Sequence, residues 1–455
     1  MSGLLALETA RAAVLSSFSP LAPAEVAIDD AVGLALSGDV VAPESVPAFA
    51  SSAMDGYAVQ AGDLVSVPVT LSVVATTMAG DPPAAAIGPG QAVRIMTGAP
   101  LPAGADAVCM VEDSEASADG ATVVLSRAAR PGQHLRRPGE DVAAGDLLFA
   151  ARTVLTPRHV GILASVGLAT VPVRPRPRVG VLSTGSELRP PGVELAPGQI
   201  RESNRHLLLA LLDEAGAVPV DLGFVADDDD ELVARVVEAS ASCDLVLTSG
   251  GVSMGDRDVV RFVLGRLCPE RAEVLRVAIK PAKPLVHGVL AAGVPLVGLP
   301  GNPVSSLVSF ESFVRPGLAV LAGAARAEPA LLTAVAAEDF RRQPDGKLHL
   351  VGAAVVAGGD GRLLVRRVAA HGSHQQRSVA DADVLVHLPD GDGARAGSVV
   401  VVQPVGRFAG FAAPPEGGPV LAPDRAARGD HHARHTHHAH HGEQATPGGE
   451  DEDCC

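Results

Sequence analysis

Between residues 177 and 322, short apolar strands alternate with amphipathic helices, and no other feature restricts the fold of this chain as strongly. RVGVLSTG precedes SNRHLLLALLDEAG, where Ser203 is suited to cap the helix. AVPVDLGFV precedes a helix beginning near Asp228, and VPLVGLPGNP precedes a helix beginning near Pro303. This order predicts a parallel, doubly wound α/β sheet. Ligands of such sheets bind at the carboxyl ends of the strands.

The regions on either side of this sheet are richer in β patterns and turns. Residues 1–176 form one N-terminal linker unit, in which short β runs at about 45–145 indicate an inserted β lobe. Residues 177–326 carry the α/β domain, and residues 327–407 carry strands such as ADVLVHLP that predict a β-barrel-like domain. Residues 408–455 are of low complexity, with a histidine-rich run and an acidic end, and are predicted to be disordered. The expected fold class is therefore α/β plus β, in an elongated multidomain chain.

The charge balance excludes one class of partner. The chain has 52 acidic and 36 basic residues and a formal net charge of -16, whereas nucleic-acid binding needs a basic face. No apolar run reaches the roughly 18–20 residues that span a bilayer. The start, MSGLLALETARAAVL, indicates an amphipathic helix and not a signal peptide. The five cysteines form no CxxC pair, which fits a reducing cytoplasm. From the charge, the lack of a spanning segment and the cysteines together, we expect a cytoplasmic protein that binds neither nucleic acid nor membrane.

Chemically useful residues follow the predicted strands of the α/β region, in STGSEL, FVADDDD, TSGGVSMGDRD, IKPAKP and LPGNPVS. Backbone amides of the glycine-containing turns are suited to hold an anion, with Lys280 and Lys283 adding positive charge. Glu187, Asp227 and Asp258 are suited to a hard cation such as Mg²⁺. Together they predict a site for a phosphate-bearing ligand handled with a metal. The sequence has neither a Walker-A loop nor GxGxxG, which argues against an ordinary ATPase or NAD enzyme.

Each of these segments also has a purely structural interpretation. A lone TSGG is more often a strand-to-helix turn, and the aspartates at 227–230 suit a helix N-terminus. IKPAKP could be an edge strand protected by lysine and proline. Five such segments at successive strand ends of one sheet nevertheless favour a binding site.

The stretch SSAMDGYAV, residues 51–59, contains the only tyrosine of a chain that has no tryptophan. The stretch is too polar for a core strand, so we do not expect core packing to explain the tyrosine. Met54 and Tyr57 could pack around Asp55 to form a shaped, partly dry pocket, where Gly56 permits a tight backbone. Alternatively, Tyr57 plugs the loop against its own lobe.

Seven segments together carry a resemblance to a known family. The signatures of the molybdopterin molybdenumtransferases, or molybdenum insertases, which include the E domain of gephyrin, are matched in order by SSAMDGYAV, RIMTGAPLPAGADAV, RRPGEDV, STGSEL, SGGVSMGDRD, IKPAKP and GLPGNPVSS. The resemblance covers residues 3–405. It implies a homodimer, with residues 1–176 as the dimerisation unit, that takes adenylylated molybdopterin and molybdate as substrates and needs Mg²⁺. Molybdenum is inserted as the link to AMP is hydrolysed, which gives molybdenum cofactor.

The same resemblance implies roles for individual residues. Asp55 and Thr97 would face the molybdate and metal end of the cleft, which the N-terminal part of the partner subunit completes. Glu187, Asp227 and Asp258 would line the pterin or Mg²⁺ region. These five are the catalytic candidates, and the four carboxylates among them are the candidate metal ligands. The candidate cofactor-binding residues, which include phosphate-binding amides and counter-charges, are Ser249, Gly250, Gly251, Ser253, Lys280, Lys283, Pro300, Gly301, Asn302, Pro303 and Ser305.

The chain departs from the family pattern at four positions. Glu202 stands where Asp is common, and Arg276 stands where Lys is frequent. Both changes keep the charge and alter the reach of the side chain. In the last domain, His371 replaces the first residue of a QGS segment, and Lys347 replaces a frequent arginine.

Two other functions fit parts of the sequence. A molybdopterin adenylyltransferase uses a related α/β domain without the long N-terminal unit, and a scaffold or carrier would bind molybdopterin intermediates without turnover. The insertase is preferred because the N-terminal signatures and the acidic set are both present. Molybdopterin adenylyltransferase and apo-molybdoenzymes are the expected transient partners. The histidine-rich run is interpreted either as a solvated, weakly metal-binding tail or as a metal buffer.

Overall fold

The N-terminal region is a set of strand ribbons that carries a β lobe. The computed structural model describes residues 3–251, 265–268, 272–358, 361–368 and 374–406. Helix α1 (Leu7–Leu15) comes first and buries Leu7, Ala10 and Val14, which lie on one face. The elements that follow are β1 (Ala24–Ala27), β2 (Val40–Val41), β3 (Ser51–Ser52), β4 (Gly56–Val59), β5 (Val69–Thr77), β6 (Gln91–Ile95), β7 (Ala107–Met110), β8 (Ser114–Ala116), β9 (Thr122–Leu125), β10 (Leu135–Arg136), β11 (Leu147–Phe149), α2 (Pro157–Ser165) and β12 (Thr170–Val173), with 3₁₀ turns at Ile28–Asp30, Ala61–Leu64 and Val111–Asp113.

The lobe is inserted between strands that pair with each other. β1 pairs with β12, β2 with β11 and β3 with β10, all antiparallel, so the chain runs out and returns alongside itself. Inside these ribbons, β4 to β9 form a six-stranded sheet in the order β7–β4–β6–β5–β9–β8. The inserted lobe that the β runs predicted is confirmed.

The tyrosine of SSAMDGYAV lies in the core of this lobe. β4 is a central strand between β6 and β7, and all four of its residues are buried. Tyr57 is 2% exposed and packs in one cluster with Val59, Leu64 and Leu71. The expectation that the stretch is too polar for a core strand is therefore wrong. Its polar residues stand before the strand, whereas the strand itself is apolar on both faces, and the interpretation of Tyr57 as a plug of its own lobe is the one that holds.

The α/β region contains a six-stranded sheet with helices on both faces. Its elements are β13 (Arg178–Thr184), β14 (Leu188–Arg189), β15 (Ile200–Arg201), α3 (Asn204–Glu214), β16 (Val218–Val225), α4 (Asp229–Ser240), β17 (Leu245–Ser249), β18 (Glu273–Arg276), β19 (Ile279–Lys280), β20 (Pro284–Val289), β21 (Pro295–Leu299), α5 (Pro303–Ser309), a π turn (Phe310–Val314) and α6 (Arg315–Leu321). The strand order is β16–β13–β17–β21–β20–β18. Leu245 and Leu247 of β17 share a cluster with α3, whereas Val246 shares one with α4. The doubly wound arrangement is thus confirmed.

The direction of one strand contradicts the prediction that the sheet is parallel throughout. β20 is antiparallel to both of its neighbours, while β13, β16, β17 and β21 are mutually parallel. The connections into and out of β20, residues 277–283 and 290–294, are short. Because a parallel crossover needs a dozen or more residues, such connections reverse the chain. Residues 277–283, the lysine turn, therefore cross the carboxyl edge of the sheet.

Two helix starts were predicted from candidate caps, with different outcomes. The Asp228 carboxylate accepts hydrogen bonds from the N–H groups of Asp230 (3.0 Å) and Glu231 (2.9 Å), as expected of a cap. Ser203 occupies the cap position of α3, but its hydroxyl accepts a hydrogen bond from Gln376 Nε2 at 2.7 Å and does not cap the helix. The sequence also predicts a helix at RDVVRFVLGRL, residues 257–267, which lies largely outside the described residues.

The run from α5 to α6 is the core helix of the domain. Residues Pro303–Leu321 have a mean hydropathy of 1.2, enough in length and composition to cross a membrane, but 83% of that window is buried inside the protein. At its π turn, the buried Glu311 pairs with Arg315 at 2.7 Å. Burial raises the pKa of Glu311, although the hydrogen bond from Arg315 opposes the shift. Such burial is the behaviour of a core helix in a globular domain.

The C-terminal region is a closed five-stranded barrel. Its elements are β22 (Leu332–Ala336), β23 (Phe340–Arg341), β24 (Leu348–Ala357), β25 (Leu363–Arg367), α7 (Arg377–Ala380), β26 (Val384–Leu388), β27 (Gly393–Ala394) and β28 (Val399–Pro404). The strands β24–β25–β22–β28–β26 pair in sequence, and β26 pairs back with β24. The barrel-like domain predicted from the β pattern is confirmed.

The barrel is joined to the α/β domain by backbone and by core. β19, which lies within the lysine turn, pairs in parallel with Leu348 and His349 at the start of β24. Leu350 and Leu385 of the barrel belong to the same apolar cluster as α1 and α3. The position of the barrel against the carboxyl edge of the sheet is therefore fixed by main-chain hydrogen bonds and by shared burial.

Candidate functional site

A large cleft opens between the carboxyl edge of the α/β sheet and the barrel. Its volume is about 1550 Å³. The sheet contributes the ends of β13, β17 and β21 and the lysine turn, and the barrel contributes residues between 341 and 352. The described cofactor-binding candidates all line it: Ser249, Gly250, Gly251, Lys280, Lys283, Pro300, Gly301, Asn302, Pro303 and Ser305. Ser253 lies outside the described residues.

The turns after β17 and β21 approach each other through glycine. Gly250 has a φ of +96°, and a Cβ there would lie 2.4 Å from the carbonyl oxygen of Thr184. A Cβ on Gly301 would lie 3.6 Å from the Cα of Gly250. The N–H of Gly250 donates to the carbonyl oxygen of Leu299 at 3.2 Å. This amide is thus bonded within the protein, and its role in binding phosphate stays a prediction.

A buried asparagine ties the two turns together. Asn204, the first residue of α3, donates from Nδ2 to Ser249 Oγ at 2.9 Å and to the Gly301 carbonyl oxygen at 2.8 Å. Beside it, the buried Glu202 accepts a hydrogen bond from Ser183 Oγ at 3.0 Å. These bonds fix both glycine turns to the start of one helix, so the wall on the sheet side of the cleft is held by one buried side chain as well as by backbone contacts.

Two of the predicted carboxylates, Glu187 and Asp227, lie just after the carboxyl ends of β13 and β16. The N–H of Asp227 donates to Ser186 Oγ at 3.1 Å, which joins the loop of Asp227 to the loop that carries Glu187. Both carboxylates are exposed and line the cleft. Asp258 lies outside the described residues, and within the described ones no group of three or more metal-ligating side chains occurs. Two carboxylates are nevertheless sufficient for Mg²⁺, which takes one or two from protein and the rest from phosphate and water.

The lysine turn is held from both sides. On one side, the N–H of Leu5 donates to the Arg276 carbonyl oxygen at 2.8 Å, and the N–H of Ala278 donates back to Leu5 at 2.7 Å. On the other side, the N–H of Leu348 donates to the Ala278 carbonyl oxygen at 2.8 Å. The exposed Lys280 thus extends from a fixed backbone into the cleft.

The barrel wall of the cleft carries a network of charged groups. Asp345 Oδ1 lies 2.9 Å from Arg342 and 3.1 Å from His349 Nε2, and Asp345 Oδ2 lies 3.1 Å from Lys347 Nζ. Partial burial alone would raise the pKa of Asp345, but the hydrogen bonds from Lys347 and His349 outweigh it and lower that pKa to about 2. Burial lowers the pKa of His349 below its ordinary value, against the opposing effect of Asp345. Near neutral pH the network therefore holds an ionised Asp345 and a largely neutral His349.

Asp55 and Thr97 form a separate corner on the β lobe. Asp55 Oδ1 accepts hydrogen bonds from the Thr97 N–H at 2.7 Å and from Thr97 Oγ1 at 2.8 Å. These bonds hold the pKa of Asp55 below its usual value, the backbone bond contributing most. A Cβ on Gly56 would lie 1.8 Å from the Cys109 carbonyl oxygen, so only glycine fits behind Asp55. Neither Asp55 nor Thr97 lines the cleft of its own chain.

Three family models match the chain in order along the sequence. The MoeA N-terminal region (domain I and II) matches residues 5–167, the probable molybdopterin binding domain matches residues 180–320, and the MoeA C-terminal region (domain IV) matches residues 333–405. A molybdopterin molybdenumtransferase of Haemophilus influenzae is 36% identical over 410 residues, which cover 90% of this chain and 100% of that protein. The chain belongs to the molybdopterin molybdenumtransferase family.

Further relatives agree with this assignment. Molybdopterin molybdenumtransferase 2 of Mycobacterium tuberculosis is 45% identical over 309 residues, 66% of this chain and 76% of that protein. The crystal structure of a molybdopterin biosynthesis MoeA protein from Pyrococcus horikoshii matches with a TM-score of 0.75 at 31% identity, over 88% of this chain and 99% of that one. The cleft lies between the regions that match the molybdopterin binding domain and domain IV, whereas the Asp55 corner lies in the N-terminal match.

Several residues of the cleft were not identified as site residues from the sequence. On the sheet side these are Ser183 and Asn204, and on the barrel side they include Arg341, Asp345 and His349. A signal for Asn204 existed, because it begins a helix next to a strand end. The barrel residues gave no such signal, since the direction of their side chains depends on how the barrel closes and docks.

Proposed function

We propose that the protein inserts molybdenum from molybdate into adenylylated molybdopterin, with hydrolysis and release of AMP, to give molybdenum cofactor. The observation that carries the proposal is the cleft itself. It places the two lysines of the lysine turn and the Glu187 and Asp227 carboxylates around one space of about 1550 Å³, between the two regions that match the molybdopterin binding domain and domain IV. Such a space accommodates a phosphate-linked substrate larger than a single nucleotide.

The lysine turn and the two glycine turns have distinct tasks in the proposed reaction. Lys280 and Lys283 neutralise the charge of the two linked phosphates and of the AMP that leaves. The turns fixed by Asn204 hold the phosphate-bearing end of the substrate against the sheet. A water molecule attacks the phosphate–phosphate link, so that one phosphate stays on the pterin and the other leaves with the adenosine as AMP.

Glu187 and Asp227 are the residues that would hold a magnesium ion. Such an ion would lower the negative charge that builds on the phosphate oxygens during cleavage. The two carboxylates would hold it from the sheet edge, where the hydrogen bond between Ser186 and Asp227 keeps their loops together. Mg²⁺ dependence is thus part of the proposal.

The Asp55 corner enters the proposal through a second copy of the chain. By the family resemblance Asp55 and Thr97 face molybdate, yet in one chain they do not line the cleft. A homodimer in which the lobe of one protomer reaches the cleft of its partner would bring them to it. The ionised Asp55 would there orient the metal end of the substrate. In the cytoplasm, molybdopterin adenylyltransferase would supply the adenylylated substrate and apo-molybdoenzymes would receive the product.

The test is an insertion assay on purified protein. The protein is incubated with adenylylated molybdopterin, Mg²⁺ and molybdate, and AMP release is followed together with the metal-loaded cofactor. We expect AMP release to depend on molybdate and to be lost in Asp55→Ala, whose melting temperature should fall only slightly, because the exposed side chain loses two hydrogen bonds and no packing. Thr97→Val is the matched variant, since it keeps the backbone N–H bond to Asp55 and loses only the hydroxyl bond.

Other outcomes favour the rival functions. Tight binding of the substrate without AMP release would support a carrier, and formation of adenylylated molybdopterin from molybdopterin and ATP would support an adenylyltransferase. The adenylyltransferase is not favoured, because the family match extends over the N-terminal and C-terminal regions as well.

A further inference from the structure

One carboxylate in the cleft is surrounded by basic side chains. Asp345 lies within 3.1 Å of Lys347 Nζ and of His349 Nε2, and within 2.9 Å of Arg342. Across the cleft, Lys280 Nζ lies 3.8 Å from Asp345 Oδ2. Lys280 belongs to the α/β domain and the other three to the barrel, so one acidic side chain bridges the two walls.

Asp345 is held so that it cannot turn away from this position. Its N–H donates to Asp390 Oδ1 at 3.0 Å. Arg342 has a side chain that is 2% exposed, and it donates to the carbonyl oxygens of Lys347 (2.8 Å), Leu388 (2.9 Å) and Pro389 (3.0 Å) in addition to its two aspartates. Arg342 is therefore bonded to groups of the protein itself, and it fixes the loop that carries Asp345.

The two lysines differ from Arg342 in their freedom to move. The side chain of Lys280 is 61% exposed and that of Lys347 is 21% exposed. Both are long, flexible ammonium groups. In the absence of another anion they pair with Asp345, and an incoming phosphate offers the same two lysines a second, multiply charged partner.

We propose that Asp345 is a built-in counter-anion that competes with the phosphate-bearing ligand for Lys280 and Lys347. Its ligand class rests on the proposed function, namely a phosphate or pyrophosphate group. In this arrangement Asp345 lowers the affinity of the cleft for phosphate-bearing molecules, including the AMP that must leave. It thereby makes the cationic wall selective for ligands with more than one negative charge, since a weakly charged anion does not displace the carboxylate.

The test compares binding by the wild-type protein and by Asp345→Asn. Inorganic pyrophosphate and AMP are titrated into each full-length protein by calorimetry at low ionic strength, without substrate turnover. Removal of one negative charge at this distance should tighten the dissociation constant for both ligands about threefold to tenfold. The gain should shrink with added salt and in the Lys347→Gln background, where one competing lysine is absent.

Two controls test whether the effect comes from the charge at position 345. One changes the shape of that side chain and keeps its charge, and the other changes the net charge of the protein elsewhere. Asp345→Glu keeps the charge and should bind as the wild type does. Asp119→Asn removes one charge from an exposed turn of the lobe, where the carboxylate is bonded by Ser117 (2.7 Å) and Ala121 (3.1 Å), and should also leave binding unchanged. If the melting temperature of Asp345→Asn is lower than that of the wild type, Asp345→Ser is used in its place.

Unchanged or weaker binding by both neutral Asp345 variants would overturn the inference. So would a failure of wild type and variants alike to bind pyrophosphate. The insertion assay is a separate readout: an inactive protein that still binds pyrophosphate more tightly without Asp345 would remove the proposed function and leave this inference standing.

Discussion

The two walls of the cleft are positioned by different kinds of interaction. On the sheet side, the close backbone contact at Gly250 and the hydrogen bonds of Asn204 fix the turns. On the barrel side, ion pairs around Asp345 fix the side chains. A wall built from backbone geometry tolerates almost no substitution, because there is no room for an added atom. A wall built from charges changes gradually with substitution, salt and pH.

The largest effect is expected where the backbone wall is broken. Gly250→Ala introduces a Cβ 2.4 Å from the Thr184 carbonyl oxygen at a φ of +96°, which should lower the free energy of unfolding by about 3 kcal/mol and abolish insertion. Gly120→Ala is the control, because Gly120 also has a positive φ, +70°, with nothing within 4 Å. It should cost about 1 kcal/mol. Equal losses in urea unfolding would show that the close approach contributes nothing.

A smaller effect is expected when a charge is removed from each wall. Lys280→Gln should reduce the rate of AMP release about 100-fold, because in the proposed reaction its ammonium group faces the phosphates from a fixed turn. Lys347→Gln should reduce it about 10-fold or less, since Lys347 is already partly neutralised by Asp345 at 3.1 Å. Steady-state rates of both variants, with melting temperatures as the control for folding, check the order. A reversed order would mean that the barrel wall carries the phosphate chemistry.

The smallest effect concerns acid stability. The pKa of Asp345 is lowered to about 2, against about 3.9 in an unfolded chain. A carboxylate with a lowered pKa stabilises the folded state above about pH 4, and this contribution is lost as the pH falls from about 4 through 2. Urea unfolding should therefore separate wild type and Asp345→Asn at about pH 6 and bring them closer at about pH 3. A difference that stays constant with pH would contradict the role of the ionised carboxylate.

The same contrast explains what the sequence could predict. The strand-end segments were recognisable because strand ends of one sheet meet at one edge, whatever the details of packing. Asp345 and His349 could not be predicted, because their neighbours are set by how the barrel closes and docks. The direction of β20 was predicted wrongly, although its short connections contained the information. The stretch around Tyr57 was wrongly predicted to be too polar for a core strand, because the polar residues before β4 were considered together with the apolar strand.

The backbone amide of Gly250 shows what residue type leaves open. Gly250 was assigned a phosphate-binding amide on the strength of its type and position, but its N–H is bonded to Leu299. Gly250 is a glycine because the backbone of two turns approaches closely there. Whether its N–H is available to a ligand is a separate property. A sequence shows the residue type and leaves both properties to the fold.

The lysine turn also determines when the α/β domain is complete during synthesis. Leu5 is made early, yet the bond from Leu348 to Ala278 forms only after the start of the barrel has left the ribosome. Until then β19 is an unpaired edge next to apolar residues that Leu350 and Leu385 will cover, and such edges invite pairing with other chains. A fragment ending at the last helix of the α/β domain should thus be prone to aggregate, because the barrel that covers this edge and its apolar surface is missing.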